Sequence, residues 1–265
     1  FESAPRYQYS MNTISIFCLT LNPEHEEKIK NLSYIPVGLG IKKFSKNCFT
    51  DKSGLNIAEK NPFYGEYTFH YWIWKNFINK IESRWVGFCQ YRKFWSLKSL
   101  NARETESIED LSKYILKKIP EEFKDFDTIL GEPLFVNQST FSKFFKKNLF
   151  KMLKNPSLFF ISTKRNLKFH FDMMHGDGNL DKAIKLLDTK DRSDFRDFVN
   201  KEVSFNPHNM FICRSSLILN NYYETIFPWL KRCESEFGFD LKGYGYKRIY
   251  GFLAERFMSY WFKKY

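Results

Sequence analysis

The chain has 265 residues and a formal net charge of +12, from 42 Lys and Arg against 30 Asp and Glu. That length supports one substantial domain with a sizeable core, and aromatic residues at 19% of the sequence can build much of it from rings. No apolar run approaches the roughly 18–20 residues of a membrane-spanning helix, which argues against an integral helical membrane protein.

Met11 reads as a native start, so residues 1–10 are taken as an expression scar or a non-domain extension and 11–265 as the domain. Ile14 to Leu21 is apolar enough for a first buried strand, and Pro23–Asn31 reads as a helix or turn. Pro36-Val37-Gly38-Leu39-Gly40 reads as a turn, because two glycines alone are weak evidence for a phosphate loop. A helix is expected to begin with Asn61 as its cap and Pro62 in its first turn. Phe63, Tyr67, Tyr71, Trp74 and Ile78 then recur at helical spacing and mark its expected buried face. Trp85–Cys89 is a short apolar strand that ends in Gln90-Tyr91-Arg92-Lys93, and open α/β sheets bind ligands where strands end.

Further along, Ser107–Lys118 reads as a polar helix and Asp127–Gly131 as a strand. From Pro133 to Phe171 there is no acidic residue, while lysines accumulate. Phe141, Phe145, Leu149 and Met152 recur there at helical spacing opposite Lys143, Lys146, Lys147 and Lys151. That pattern fits a basic amphipathic helix on an anionic membrane, or a helix packed by its Phe face with a solvated basic side. His175-Gly176-Asp177-Gly178 reads as a flexible polar loop before the helix Asp181–Leu187. His208 and Asn209 open an apolar strand, Ser215–Phe237 reads as a helix bent near Pro228, and a last helix runs from about Tyr246 to Phe262. Short apolar strands alternating with amphipathic helices imply an α/β fold.

The five cysteines, at 18, 48, 89, 213 and 233, show no metal-like spacing. Buried reduced thiols and a cytoplasmic location are expected from them. Met11–Leu21 lacks the basic leader and cleavage site of a signal peptide. The positive charge first suggests a nucleic-acid partner, but no nucleic-acid-binding motif accompanies it. A pyrophosphate-bearing ligand and an anionic membrane surface account for the charge equally well.

Two phrases carry more than core packing. One runs Asn56-Ile57-Ala58-Glu59-Lys60-Asn61-Pro62-Phe63-Tyr64-Gly65-Glu66-Tyr67-Thr68 and on through Tyr71-Trp72-Ile73-Trp74-Lys75-Asn76; the other is Trp85-Val86-Gly87-Phe88-Cys89-Gln90-Tyr91-Arg92-Lys93-Phe94-Trp95. With His208-Asn209-Met210-Phe211-Ile212 and Gly251-Phe252-Leu253-Ala254-Glu255-Arg256, they closely resemble, in order, the motifs of a family of bacterial capsular and exopolysaccharide glycosyltransferases. Gln90 and Lys93 replace the His and Arg of that family's HYRR-type motif. The resemblance spans Met11 to Phe262 and implies a GT-A-like central sheet flanked by helices in a single domain. It also implies transfer of a sugar from a nucleotide-sugar donor to a capsular or surface polysaccharide acceptor, lipid-linked or oligosaccharide. Some relatives transfer galactofuranose, which makes UDP-galactofuranose, or another UDP-hexose, the donor to consider.

Such a reaction needs charge stabilisation at the leaving diphosphate and a base for the acceptor hydroxyl. Where many GT-A enzymes carry a metal-binding Asp-x-Asp, this chain has Gln90-Tyr91-Arg92-Lys93. Arg92 and Lys93 are therefore expected to neutralise the diphosphate directly, with no metal ligands assigned. Structural ion pairs and a metal held elsewhere are the competing readings. Lys60, Asn61 and Glu66, at an expected helix start, join Gln90, Tyr91, Arg92 and Lys93 as donor-binding candidates. Asp177, His208 and Glu255 are candidate bases, and His175, Asn209 and Arg256 candidate acceptor contacts. Against these stand a capping Asp177, a hydrogen-bonded His208 and an ion-paired Glu255. His70 is expected to be packed and His25 to lie at the surface. The rival reading of the whole chain is a non-catalytic basic module for nucleic acid or anionic polysaccharide.

Overall fold

In a computed structural model, residues 14–97, 111–138, 161 and 164–265 are described. They divide into two compact units, one formed by Phe1–Gly131 with His208–Glu224 and the other by Glu132–Pro207 with Thr225–Tyr265. The first unit holds β1 (Ile14–Thr20), α1 (Glu26–Asn31), β2 (Ile35–Gly38), β3 (Phe49–Thr50), α2 (Asn61–Tyr64), α3 (Tyr67–Trp72), β4 (Trp85–Gln90) and β5 (Thr128–Leu130). It also holds β8 (Phe211–Cys213). The second contains β6 (Leu134–Phe135), α4 (Leu167–His175), α5 (Asn179–Lys185), α6 (Thr189–Lys201), β7 (Ser204–Phe205), α8 (Tyr244–Lys247) and α9 (Ile249–Lys264). One long helix, α7 (Ser216–Phe237), runs from the first stretch into the second and passes through Pro228 as one element.

The strands of the first unit form a six-stranded sheet in the order β3-β2-β1-β4-β8-β5, with β1, β2, β3 and β4 parallel and β8 antiparallel to β4 and β5. This is the α/β class expected, a central sheet flanked by helices. Both faces of the sheet are covered, which explains why β1 and β4 read as unbroken apolar runs. On one face Ile16, Cys18, Trp85, Cys89 and Ile212 pack with Ile29 and Leu32 around α1. On the other, Phe17 stacks on Phe88 and meets Phe49, Phe69 and Phe77. Gly87 lies between the two on the first face, opposite Ile16 and Ile212 in register. A Cβ there would come within 2.9 Å of Ile212 Cγ1 and 3.3 Å of Ile16 Cγ1, so only glycine lets the three strands close at that point.

Several expected elements are corrected. Residues 35–38 form a buried parallel strand, not a turn; β3 pairs only from Val37 onward, so the missing N–H of Pro36 costs no hydrogen bond on that side. The helix after Asn61 is broken at Gly65, whose φ of 58° and ψ of −132° suit glycine alone. The chain restarts at Tyr67 and passes through a π-helical turn, Ile73–Phe77. The break and the turn shift the phase of the buried face, so Tyr64, Tyr67, Phe69, Trp72, Ile73, Phe77 and Ile78 are buried while Phe63, Tyr71 and Trp74 are only partly so. Of the expected helix 107–118, residues 107–110 lie outside the described residues. By Ile115 the backbone has instead formed a bridge to Ser96, and Ile115 and Leu116 enter the core. The Phe141–Met152 segment also lies outside the described residues.

His70 is packed as expected, 1% exposed among Phe88, Phe211 and Tyr223, with Nδ1 2.6 Å from the Tyr223 hydroxyl. Burial pushes its pKa down to about 3. In the unfolded chain it returns to about 6.5, so the neutral ring stabilises the fold above that pH and stability is lost as pH falls below it. We expect His70 to contribute a loss on the order of 1 kcal/mol between pH 6.5 and 5.5. Urea unfolding at the two pH values measures it, and His70→Phe should flatten the dependence.

The second unit is tied by its own buried polar contacts. Trp229 Nε1 donates to the Ala183 carbonyl at 2.8 Å, and Phe195, Trp229 and Phe257 form an aromatic core. Asp191, fully buried, accepts from Tyr260 Oη at 2.9 Å, Tyr265 Oη at 3.0 Å and Lys264 Nζ at 3.1 Å. Among the described residues no helix is long and apolar enough to cross a membrane.

Candidate functional site

Chain direction places the site. From β1 the parallel order runs to β2 on one side and to β4 on the other, so the switch point of the sheet lies between β1 and β4 at their carboxyl ends. Thr20 ends β1 and Gln90 ends β4, and the Tyr91 N–H still donates to the Leu19 carbonyl at 2.9 Å. The chain then turns sharply, with Lys93 N–H donating to the Gln90 carbonyl at 2.7 Å. Arg92 occupies the corner at φ 79°, a left-handed conformation uncommon for a residue with a side chain. That corner leaves both Arg92 and Lys93 exposed.

His25, expected at the surface, belongs to this point. Its ring stacks on Tyr91 at 3.5 Å between centroids and 15° between planes, and Nδ1 lies 2.7 Å from Thr20 Oγ1. Its pKa is lowered, first by burial and then by the charges of Lys28 and Arg92, with Glu24 opposing and Lys42 adding least. The signal available in sequence was indirect: Thr20 and His25 flank the exit of the first strand, and only the parallel pairing of β1 with β4 brings them to Tyr91.

The remaining wall is built by a cross-link between distant segments. Gln90 Nε2 donates to the His208 carbonyl at 2.8 Å, and Asn209 Nδ2 donates to Glu66 Oε1 at 2.7 Å. His208 and Asn209 are consecutive left-handed residues, φ 72° and 52°. Asn tolerates that region, but His does so at a cost on the order of 1 kcal/mol or more, which the surrounding contacts must offset. The His208 pKa is lowered by burial and then by Lys93. Asn61 does not cap the start of its helix; its Nδ2 donates across the break to the Gly65 carbonyl at 3.0 Å and Thr68 Oγ1 at 3.2 Å. Helix α2 has only four residues, so its dipole adds little to anion binding. Lys60 ends the preceding 3₁₀ turn Ala58–Lys60.

The Trp72 and Asn76 of the recognised phrase hold the loop that leads into this wall. Trp72 Nε1 donates to the Ser53 carbonyl at 2.9 Å. Asn76 accepts from the Leu55 N–H at 3.0 Å and donates to its carbonyl at 2.8 Å. Those two side chains are therefore scaffold for Asn56–Glu66.

The donor-binding candidates Lys60, Asn61, Glu66, Gln90, Tyr91, Arg92 and Lys93, with His208 and Asn209, all lie in the first unit. His175, Asp177, Glu255 and Arg256 belong to the second. His175 is not on an open loop: it ends α4, is 3% exposed, stacks on Phe252 at 4.0 Å and lies with Nδ1 2.9 Å from the Gly245 carbonyl. Asp177 is exposed in the turn before α5. Glu255 forms a buried ion pair with Arg256. Arg256 also sits 3.8 Å from the centre of the Phe205 ring and places Nη2 3.1 Å from His170 Nδ1. That nitrogen must accept, so His170 is neutral, and burial followed by the Arg256 charge pushes it down to about 3. Among the described residues no group of three or more His, Cys, Asp or Glu side chains is placed to hold a metal ion.

Comparison with known proteins gives two findings. Residues 19–265 match the family described as Domain of unknown function (DUF4422). The structure is similar to that of the apo WbbM bifunctional glycosyltransferase, with a TM-score of 0.61 at 18% identity over 94% of this chain. The chain spans 42% of the WbbM chain, so the likeness is one of fold over part of a longer protein. No curated protein matches.

Proposed function

The chain belongs to the DUF4422 family, and we propose that it is a nucleotide-sugar-dependent glycosyltransferase acting on a capsular or surface polysaccharide acceptor. The observation that carries this reading is the left-handed corner that exposes Arg92 and Lys93 at the carboxyl end of β4, next to the His25–Tyr91 stack at the β1–β4 switch point. A glycosyl donor releases a nucleoside diphosphate, and cations fixed at the carboxyl end of a parallel sheet stabilise that leaving group. The fold shared with WbbM, described as a bifunctional glycosyltransferase, points the same way.

In this reading Arg92 and Lys93 bind the diphosphate without requiring a divalent ion. Glu66, oriented by Asn209, accepts hydroxyls of the donor ribose or sugar. His208 is taken as the base, since it belongs to the same unit as the Arg92 corner, its carbonyl is held by Gln90, and its lowered pKa favours the neutral ring. Donors to test are UDP-hexoses, UDP-galactofuranose first, with a lipid-linked or oligosaccharide acceptor at the inner face of the cytoplasmic membrane.

The experiment is thermal unfolding with a panel of nucleoside diphosphates, with and without chelator. Uridine diphosphate at about 100 times its dissociation constant should add roughly 2.7 kcal/mol of stability. Absence of any shift, together with tight oligonucleotide binding, would replace the transferase by a basic binding module.

A further inference from the structure

One loop beside the switch point exposes aliphatic side chains among lysines. Immediately after Thr20, Leu21 is 58% exposed, and Ile41 is 100% exposed. Leu21 lies against Gly40, the residue before Ile41, since a Cβ placed on Gly40 would lie 3.0 Å from Leu21 Cδ2. Lysines surround them: Lys42 Nζ donates to Asn22 Oδ1 at 3.3 Å, Lys52 Nζ donates to the Lys42 carbonyl at 3.3 Å, and Lys43 and Lys46 are exposed in the same loop. From Lys28 to Thr50 the sequence contains no acidic residue. The loop is anchored rather than loose, since Glu26, 6% exposed, accepts from the Ser45 N–H at 2.9 Å and from Ser45 Oγ at 2.5 Å.

We propose that this tip, Leu21 with Ile41 and the lysines around them, docks on an anionic phospholipid bilayer. Two aliphatic side chains are too little apolar surface for a stable protein interface, which needs about 800 Å² on each partner. A nucleic acid would be gripped by lysines and stacked on exposed rings, whereas this tip presents aliphatic chains. Shallow insertion of aliphatic side chains with lysines held at the headgroups matches a bilayer with anionic lipid. The docking holds whether or not the site transfers sugar, so its failure is separable from failure of the proposed activity. Its position one residue from Thr20 would set the mouth of the switch-point site against the membrane.

The test uses the full chain with Ile41→Cys carrying an environment-sensitive dye; the five native cysteines are buried and should not compete for it. Mixed phosphatidylglycerol–phosphatidylcholine vesicles should shift the emission to the blue at low salt, and pure phosphatidylcholine should not. In co-sedimentation of the unlabelled protein, Leu21→Ser with Ile41→Asp should lower binding at least about tenfold, and so should Lys43→Gln with Lys46→Gln and Lys52→Gln. Both variants should keep the wild-type melting temperature, since every altered side chain is exposed. An unshifted dye on vesicles that do sediment the protein overturns the proposal, because another surface then makes the contact. So does failure of wild-type protein to sediment with anionic vesicles, or a dye response to oligonucleotide alone.

Discussion

Replacing Arg92 with Ala should lower kcat/KM roughly 30- to 1,000-fold, the loss expected when about 2–4 kcal/mol of charge stabilisation at a leaving diphosphate is removed. Lysine at the same position keeps the charge without the two-pronged geometry and should lose less. Arg92→Gly separates function from folding. Arg92 holds a φ of 79° that costs glycine nothing, so the glycine variant should be at least as stable as wild type while losing as much turnover as alanine. Steady-state kinetics and urea unfolding on the three variants decide this. Unfolding of Arg92→Ala would support a structural ion pair, and complete, metal-reversible inhibition of wild type by chelator would sink direct neutralisation by Arg92 and Lys93.

The second large effect is on stability. Arg256 is 2% exposed, so removing Glu255 strips a buried guanidinium of its paired carboxylate, and removing Arg256 deletes its contacts to Glu255, Phe205 and His170 together. Arg256→Ala and Glu255→Ala should each cost about 3–5 kcal/mol, visible as a large drop in the urea midpoint. Glu255→Gln keeps the shape but not the charge and should also destabilise clearly. A catalytic base predicts the opposite for that variant: an unchanged midpoint with turnover abolished.

The apolar strands were the most legible part of the sequence. β1, β4 and β8 appear close to where their runs of Ile, Phe, Val and Cys put them, because strands covered on both faces need no polar alternation. β2 was hidden by Pro36 and two glycines, residues that signal a turn unless it is known that β3 pairs with β2 only from Val37. The helix from Asn61 was legible in kind but not in phase, since the break at Gly65 depends on a backbone conformation that its glycine permits without announcing. α4 and α6 were not singled out, although buried Leu167 and Phe171 in α4 and Phe195 and Val199 in α6 recur at helical spacing.

The candidate site was legible as composition and not as assembly. Arg92, Lys93, Glu66, His208 and Asn209 stood out by residue type, but the hydrogen bonds from Gln90 to His208 and from Asn209 to Glu66 join segments more than a hundred residues apart. Left-handed backbone at Arg92 and His208 has no sequence signature, and His25 gains its place only through the parallel pairing of β1 with β4.

Release of nucleoside diphosphate from a panel of nucleotide sugars, followed in wild type and Arg92→Ala with and without an oligosaccharide acceptor, tests the account most directly. The account predicts release from at least one UDP-hexose that the acceptor accelerates and Arg92→Ala suppresses at least about 30-fold. Equal release by the two proteins, or none from any donor by a wild-type protein that binds oligonucleotide tightly, would contradict it.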